Sequence, residues 1–199
     1  MNHLLPGYYR FRDTSWPEHR AVFERLAARG QRPHTMVIAC SDSRVDPGMI
    51  FDAGPGELFV VRNVANLVPP FAPDGAYHGT SAALEFGVTV LGVQHLIVLG
   101  HGLCGGVQAL LAEAEPAGDF VGPWIRLAQR ARVSALRCEG DTQLAGEQAV
   151  VRVSLENLQT FPWVADRVAD ERLRLHGAHF DVRSGVLAVL GEDGVFAAG

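Results

Sequence analysis

The chain has 199 residues, 48% hydrophobic and 20% charged, which is enough for one globular domain with a sizeable core. Its basic side is entirely arginine, 17 charges against 22 carboxylates for a net of -5, and no nucleic-acid footprint is visible. No apolar run approaches the roughly 20 residues of a membrane span, and no basic-then-apolar leader opens the chain. Three cysteines, Cys40, Cys104 and Cys138, are an odd and sparse set, unlike a disulfide framework. The expectation is a cytoplasmic protein without nucleic-acid or membrane partners.

The first residues carry an aromatic-basic stretch, Tyr8-Tyr9-Arg10-Phe11-Arg12. A helical pattern follows from Glu18 to Ala28, with Val22, Phe23, Leu26 and Ala27 on one stripe and Gly30 ending it. Such an arm packs either on its own domain or on another subunit. The runs Thr35 to Ala39, Leu58 to Val61 and His95 to Gly100 are short, apolar and rich in β-branched residues, the pattern of strands buried on both faces of a parallel sheet. Helix-length segments run from Gly79 to Leu91, Gly106 to Glu115, Pro123 to Glu139, Leu144 to Thr160 and Pro162 to Leu173. The tail segments Leu173 to Val182 and Val186 to Leu190, around Arg183-Ser184-Gly185, read as a hairpin on the sheet edge. The loops Pro69 to Gly79 and Glu115 to Pro123 are rich in Pro and Gly but too short to separate domains. The alternation predicts an α/β fold: a parallel-rich β-sheet flanked by helices, with a C-terminal edge hairpin.

Two polar clusters follow directly on apolar strands: Cys40-Ser41-Asp42-Ser43-Arg44 and His101-Gly102-Leu103-Cys104-Gly105-Gly106. Parallel α/β sheets place their ligand crevice at such strand ends. Residues i and i+2 of an extended segment face one way, so Cys40 and Asp42 converge, while a turn entering a helix joins His101 to Cys104. A Cys2His set suits Zn2+, one ion per chain, with water in the fourth position of a catalytic site or Asp42 in a closed one. Asp42 and Arg44 form an ordinary ion pair or, beside a metal, a dyad whose ionised carboxylate accepts the hydrogen of the metal's water. Freed from Arg44, the same carboxylate can bind zinc and expel that water. Cys138 stands apart and reads as structural. Gly105-Gly106 allows close backbone approach to a ligand or simply a tight turn.

At these residues the sequence resembles the β-class carbonic anhydrases, through Cys40-Ser41-Asp42-Ser43-Arg44-Val45, the run from Gly56 to Asn66, and Gly100-His101-Gly102-Leu103-Cys104-Gly105-Gly106. The resemblance implies zinc held by Cys40, His101 and Cys104, an Asp42/Arg44 dyad, and reversible hydration of CO2 to bicarbonate and a proton by zinc-bound hydroxide. It also implies a homodimer, with pairing into tetramers open, in which residues 1–33 are a helical dimerisation arm on a core of residues 34–199. One subgroup lines its CO2 pocket with a glutamine nine positions before the first cysteine, here Gln31. Phe59, Val64 and Gly105 match further pocket positions, and Phe86 stands where a tyrosine is usual. The bicarbonate-inhibited subgroup uses a Trp, Arg and Tyr triad at positions matching Val37, Arg62 and Phe180, of which this chain keeps only the arginine.

Three other readings compete. The same site could hydrolyse a CO2-like molecule such as carbonyl sulfide or carbon disulfide, although Gln31, Phe59 and Phe86 suit a CO2-sized pocket. A non-catalytic zinc module closed by Asp42 would have no use for Arg44. A Cys40/Cys104 redox pair would leave His101 and Asp42 unexplained. His34, His78, His95, His176 and His179 titrate in a range useful for proton export, and none is singled out by sequence.

Overall fold

Five nonpolar residues in succession, Met36 to Cys40, leave β1 (Thr35–Cys40) no polar face, and all five are buried. In the computed structural model, which describes residues 1–114 and 118–199, β1 runs parallel to β2 (Leu58–Asn63) on one side and to β3 (His95–His101) on the other. β4 (Arg174–Phe180) extends the parallel sheet beside β3. The short strands β5 (Leu187–Leu190) and β6 (Phe196–Ala198) then add antiparallel, completing the order β2-β1-β3-β4-β5-β6. The expected tail hairpin is therefore present as β4 and β5, but β6 forms the outer edge. Its three residues are too short to carry a periodic signal.

Nine helices lie among the described residues: α1 (Leu5–Asp13), α2 (Ser15–Arg29), α3 (Pro47–Ile50), α4 (Gly79–Glu85), α5 (Gly105–Leu111), α6 (Val121–Arg126), α7 (Gln129–Ala135), α8 (Thr142–Leu158) and α9 (Pro162–Ala169). Two expected helices are interrupted. The Gly79 to Leu91 segment passes from α4 into a π-helical turn, Phe86–Leu91, which Gly92 ends in the left-handed region at φ 69°. The Pro123 to Glu139 segment divides into α6 and α7 at Leu127 and Ala128, and Cys138 sits exposed beyond α7 rather than on a helix. Ile125, Ala128, Ala131 and Ala135 stay buried across the break, so an unbroken apolar stripe conceals it in the sequence. The Glu115 end of the α5 segment and the start of the Glu115 to Pro123 loop lie outside the described residues.

Met36, Ile38, Leu96 and Val98 form one core with Leu84 of α4, Val151 and Leu158 of α8 and Val164 of α9. On the other face Val37, Ala39, Leu99 and Ala178 pack with Ile50 and Phe51 around α3. Glycines set how closely α8 approaches the sheet: a Cβ on Gly100 would lie 2.7 Å from Val151 Cγ2, and one on Gly177 would lie 3.0 Å from Val151 Cγ1. By contrast, α1 and α2 bury no residue in the single chain, although Trp16 and Phe23 stack at 4.9 Å. No helix among the described residues is long and apolar enough to cross a membrane.

Candidate metal centre

The carboxyl ends of β1 and β3 bring Cys40, His101 and Cys104 together, each buried, with one donor atom apiece within 4.8 Å of one another. His101 Nδ1 lies 2.9 Å from the Gly102 carbonyl, which can only accept, so Nδ1 carries the hydrogen and Nε2 offers a lone pair. That Nε2 is buried without a hydrogen-bond partner; among the described residues the only other such side-chain nitrogen is Asn66 Nδ2. The two sulfurs are 4.0 Å apart. Two Zn–S bonds of about 2.3 Å at a tetrahedral angle span about 3.8 Å, so the pair needs almost no adjustment to share an ion. An orphaned imidazole nitrogen facing two sulfurs at that spacing is the donor chemistry of a zinc site.

The two thiols differ sharply. The Cys104 contact holds Cys40 well below the usual thiol range against burial, with help from His101 and the backbone of Asp42 and Ala65. The same contact, and then burial, pushes Cys104 up, partly opposed by the backbone of Val107 and Gly106. Burial works against protonation of His101, but Cys40, the Gly102 carbonyl and the Asp42 charge together outweigh it and the imidazole is raised. Without metal, one proton is thus held between the two sulfurs, where a cation would replace it.

Asp42, a candidate ligand as well as a candidate acceptor, is engaged by Arg44 and stands outside the three-residue group. Its Oδ1 accepts from Arg44 N at 3.0 Å and Nε at 2.8 Å, and its Oδ2 accepts from Nη2 at 2.7 Å. The Arg44 guanidinium holds the carboxyl far below the usual range, so Asp42 is an acceptor only. Arg44 Nη2 also donates to the Leu103 carbonyl at 3.0 Å, tying the dyad to the turn that carries Cys104. In that turn Leu103 holds a left-handed φ of 59°.

The proposed pocket residues fall into two groups. Val64 follows Asn63, the register partner of Cys40, and with Gly105 it lies at the metal end. A Cβ on Gly105 would meet nothing within 4 Å, whereas one on Gly106 would lie 2.9 Å from Ala65 Cβ; Gly106 is the glycine that packing requires. Phe59 pairs with Met36, four positions earlier on the same strands, about 13 Å away along the sheet. Phe86 contacts Phe59 at 5.9 Å between ring centroids, and Gln31 is exposed ahead of β1. Gln31, Phe59 and Phe86 therefore belong to the opposite end of the strands from the metal group of their own chain.

Of the histidines considered for proton export, His78 meets Asp74 at 2.6 Å and His34 is exposed. His95 and His176 face each other at 3.0 Å toward the amino ends of β3 and β4. His179 contacts Glu147 at 2.9 Å, both buried. Two residues beside the site are absent from the sequence reading. Glu147 accepts from Cys104 N, and Gln143 donates to Cys104 O. The one available signal is a carboxylate in a stripe with Val150, Val151 and Ser154.

A mostly parallel α/β sheet with a Cys2His donor set at its strand ends, and an Asp–Arg ion pair alongside, is the arrangement of a zinc-dependent enzyme. The chain belongs to the carbonic anhydrase family, matching it over residues 35–187, and within it to the β class, zinc enzymes of reversible CO2 hydration. It is 36% identical over 193 residues to a carbonic anhydrase of Synechococcus elongatus, covering 93% of this chain and 70% of that one. It is 38% identical over 198 residues to a carbonic anhydrase of Pseudomonas aeruginosa, covering 96% and 87% respectively. Among solved structures, the β-carbonic anhydrase CcaA superposes with a TM-score of 0.93 at 32% identity, covering 100% of this chain and 99% of that one. Tetrameric β-carbonic anhydrases of Sordaria macrospora give 0.83 at 28% identity, with 96% of both chains covered.

Proposed function

We propose that Cys40, His101 and Cys104 hold the one zinc ion of this carbonic anhydrase and that Asp42, fixed by Arg44, is the hydrogen-bond acceptor that orients its water. The observation that carries this reading is the buried, unpartnered His101 Nε2 facing two sulfurs beside that dyad. Zinc, when bound, supplies a Lewis acid that acidifies water and so provides a nucleophile for CO2 near neutral pH. Asp42, kept ionised, accepts the hydrogen of the attacking oxygen and turns its lone pair toward the substrate carbon. Arg44 keeps Asp42 off the metal and neutralises its charge. Val64 and the Gly105 backbone offer an apolar edge for CO2, which needs little polar contact.

The rest of the pocket comes from a second copy. Gln31, Phe59 and Phe86 lie too far along the sheet to wall their own site, yet they suit a neighbour's. Two features favour a homodimer: no residue of α1 or α2 is fully buried in the single chain, and β2 is an edge strand with half-exposed Val60 beside Phe59. In this reading residues 1–33 are the dimerisation arm and residues 34–199 the zinc-binding core.

The chain falls in the subgroup with the pocket glutamine and without the bicarbonate triad. Val37 is wholly buried in the core, and Arg62 is spent on the Cys40 and Asp42 carbonyls and Asp46, leaving it no hand for bicarbonate. With Cys40, Cys104 and Cys138 all free thiols, the cytoplasm is the compartment that suits it.

Metal analysis and stopped-flow CO2 hydration between about pH 6.5 and 9 test this directly. One zinc per chain with hydration rising with pH is the expected result. Bound zinc without hydration at any pH, or hydrolysis of carbonyl sulfide alone, would overturn it.

A further inference from the structure

The turn 102–104 carries a metal ligand on a strained backbone, and one turn of α8 grips it from behind. Glu147 Oε1 accepts from Cys104 N at 3.1 Å, and Gln143 Nε2 donates to Cys104 O at 3.3 Å, so residues i and i+4 of one helix hold both polar backbone groups of one cysteine. Gln143 Nε2 also donates to Glu147 Oε1 at 2.6 Å, while Glu147 Oε2 meets His179 Nε2 at 2.9 Å. Glu147 is 3% exposed and His179 4%. A carboxylate is costly to bury, and an apolar side chain would fill the same space more cheaply. Its retention points to a task that needs an acceptor at that place.

The helix is well anchored for this. A Cβ on Gly146 would lie 3.0 Å from Val107 Cγ1, so α8 packs tightly on α5, the helix that starts from Cys104. On the far side of the turn, Arg44 holds the Leu103 carbonyl and Phe180 O accepts from Gly102 N at 2.8 Å. The turn's carbonyls are held by His101, Arg44, Gln143 and the first turn of α5, and among the described residues only Glu147 takes the Cys104 N–H. Losing it would free Leu103 to leave its left-handed conformation and carry Sγ away from Cys40 and His101.

We propose that Glu147, supported by Gln143 and oriented by His179, is the positioning residue that preorganises Cys104 for zinc. This rests on the reading of Cys104 as a ligand. The test compares Glu147→Leu, which keeps the bulk and removes the acceptor, with Glu147→Gln, which keeps the acceptor, and with Gln143→Leu. Zinc affinity is read by competition with a chromophoric chelator, and thiolate geometry by the charge-transfer absorption of the cobalt(II)-substituted protein. E147L is expected to bind zinc about 10–100-fold more weakly, E147Q within about threefold of the parent, and Q143L about threefold or more weaker with a displaced cobalt band. Leu158→Ala loosens the same helix away from the site and is expected to keep full affinity. Parental affinity in E147L and Q143L, or an equal loss in L158A, overturns the proposal. If E147L does not fold, Q143L decides: unchanged affinity and band sink the idea. Cys104→Ser separates the two readings, because retained zinc there refutes the ligand assignment rather than the role of Glu147.

Discussion

Arg62 of β2 donates from Nε to the carbonyl oxygen of Cys40 at 2.9 Å, crossing from the edge strand to the strand end that carries the proposed zinc ligand. Its Nη2 continues to the Asp42 carbonyl at 2.6 Å, so one guanidinium fixes the spacing between the backbones of Cys40 and Asp42. Arg62→Met is expected to lower stability by about 2 kcal/mol, the scale of hydrogen bonds from a charged donor, and to lower zinc occupancy with it. Chemical denaturation and metal analysis on the same preparation check this. A fully loaded, equally stable variant would show that the strand end holds itself.

The ligand set and the dyad separate by what they lose. Cys40→Ala, His101→Ala and Cys104→Ala should each lose zinc and activity, whereas Asp42→Asn should keep zinc and lose activity by about a hundredfold, the scale of one preorganised hydrogen-bonding group lost from an active site. Cys138→Ala, at an exposed free thiol, should change neither. A C104A protein with a full complement of zinc would contradict the assignment.

Contribution of Phe59 across the dimer predicts complementation. Phe59→Ala should cost about tenfold in activity through a widened apolar wall, and Asp42→Asn should be nearly inactive alone. Mixed dimers carrying one substitution on each chain should regain one intact site, because the D42N chain still supplies Phe59 to its partner. Activity no higher than the mean of the two parents would place Phe59 in its own chain's site.

Burial lowers the His176 pKa, and the neighbouring His95 and Arg174 add to it. With the folded value below the unfolded one, the unfolded chain binds more protons, so this contribution is present above pH about 6.5 and is lost as pH falls through the folded value. Thermal midpoints at pH 7.5 and 5.5 should therefore fall less in His176→Leu than in the parent. Equal falls would mean that the His95 and His176 pair accommodates the proton without strain.

Deleting residues 1–29 removes α1 and α2, none of whose residues is fully buried within the chain. Light scattering should show the truncated protein as a monomer with reduced activity, since Gln31, Phe59 and Phe86 would no longer meet a neighbour's metal. A truncated protein that still dimerises would assign the interface to the β2 edge alone.

The strands β1 and β3 and the polar clusters at their ends were legible because apolar runs lead straight into those clusters, whereas the pairing of the two strands, on which convergence of the site depends, came only with the sheet. The helix breaks at Phe86 and Leu127 were not legible, since the apolar stripe continues through both. Glu147 was illegible for a different reason. Its partner Cys104 lies 43 positions away, and no local pattern distinguishes a carboxylate aimed at a buried N–H from one misplaced on an apolar stripe.

What the amino-acid order determined by itself is the chemistry: two thiols, an imidazole and a carboxylate at the ends of two parallel strands, with an arginine two residues from the acid. Which side chain holds which was decided only when the chain packed. The glycines at 100, 106 and 146 let helices close on the strand ends, leaving His101 Nε2 without a partner and the Cys104 backbone gripped by α8, while the strand register puts Phe59 about 13 Å from the metal end of its own chain. Burial and distance are properties of the packed whole, and no stretch of sequence contains them.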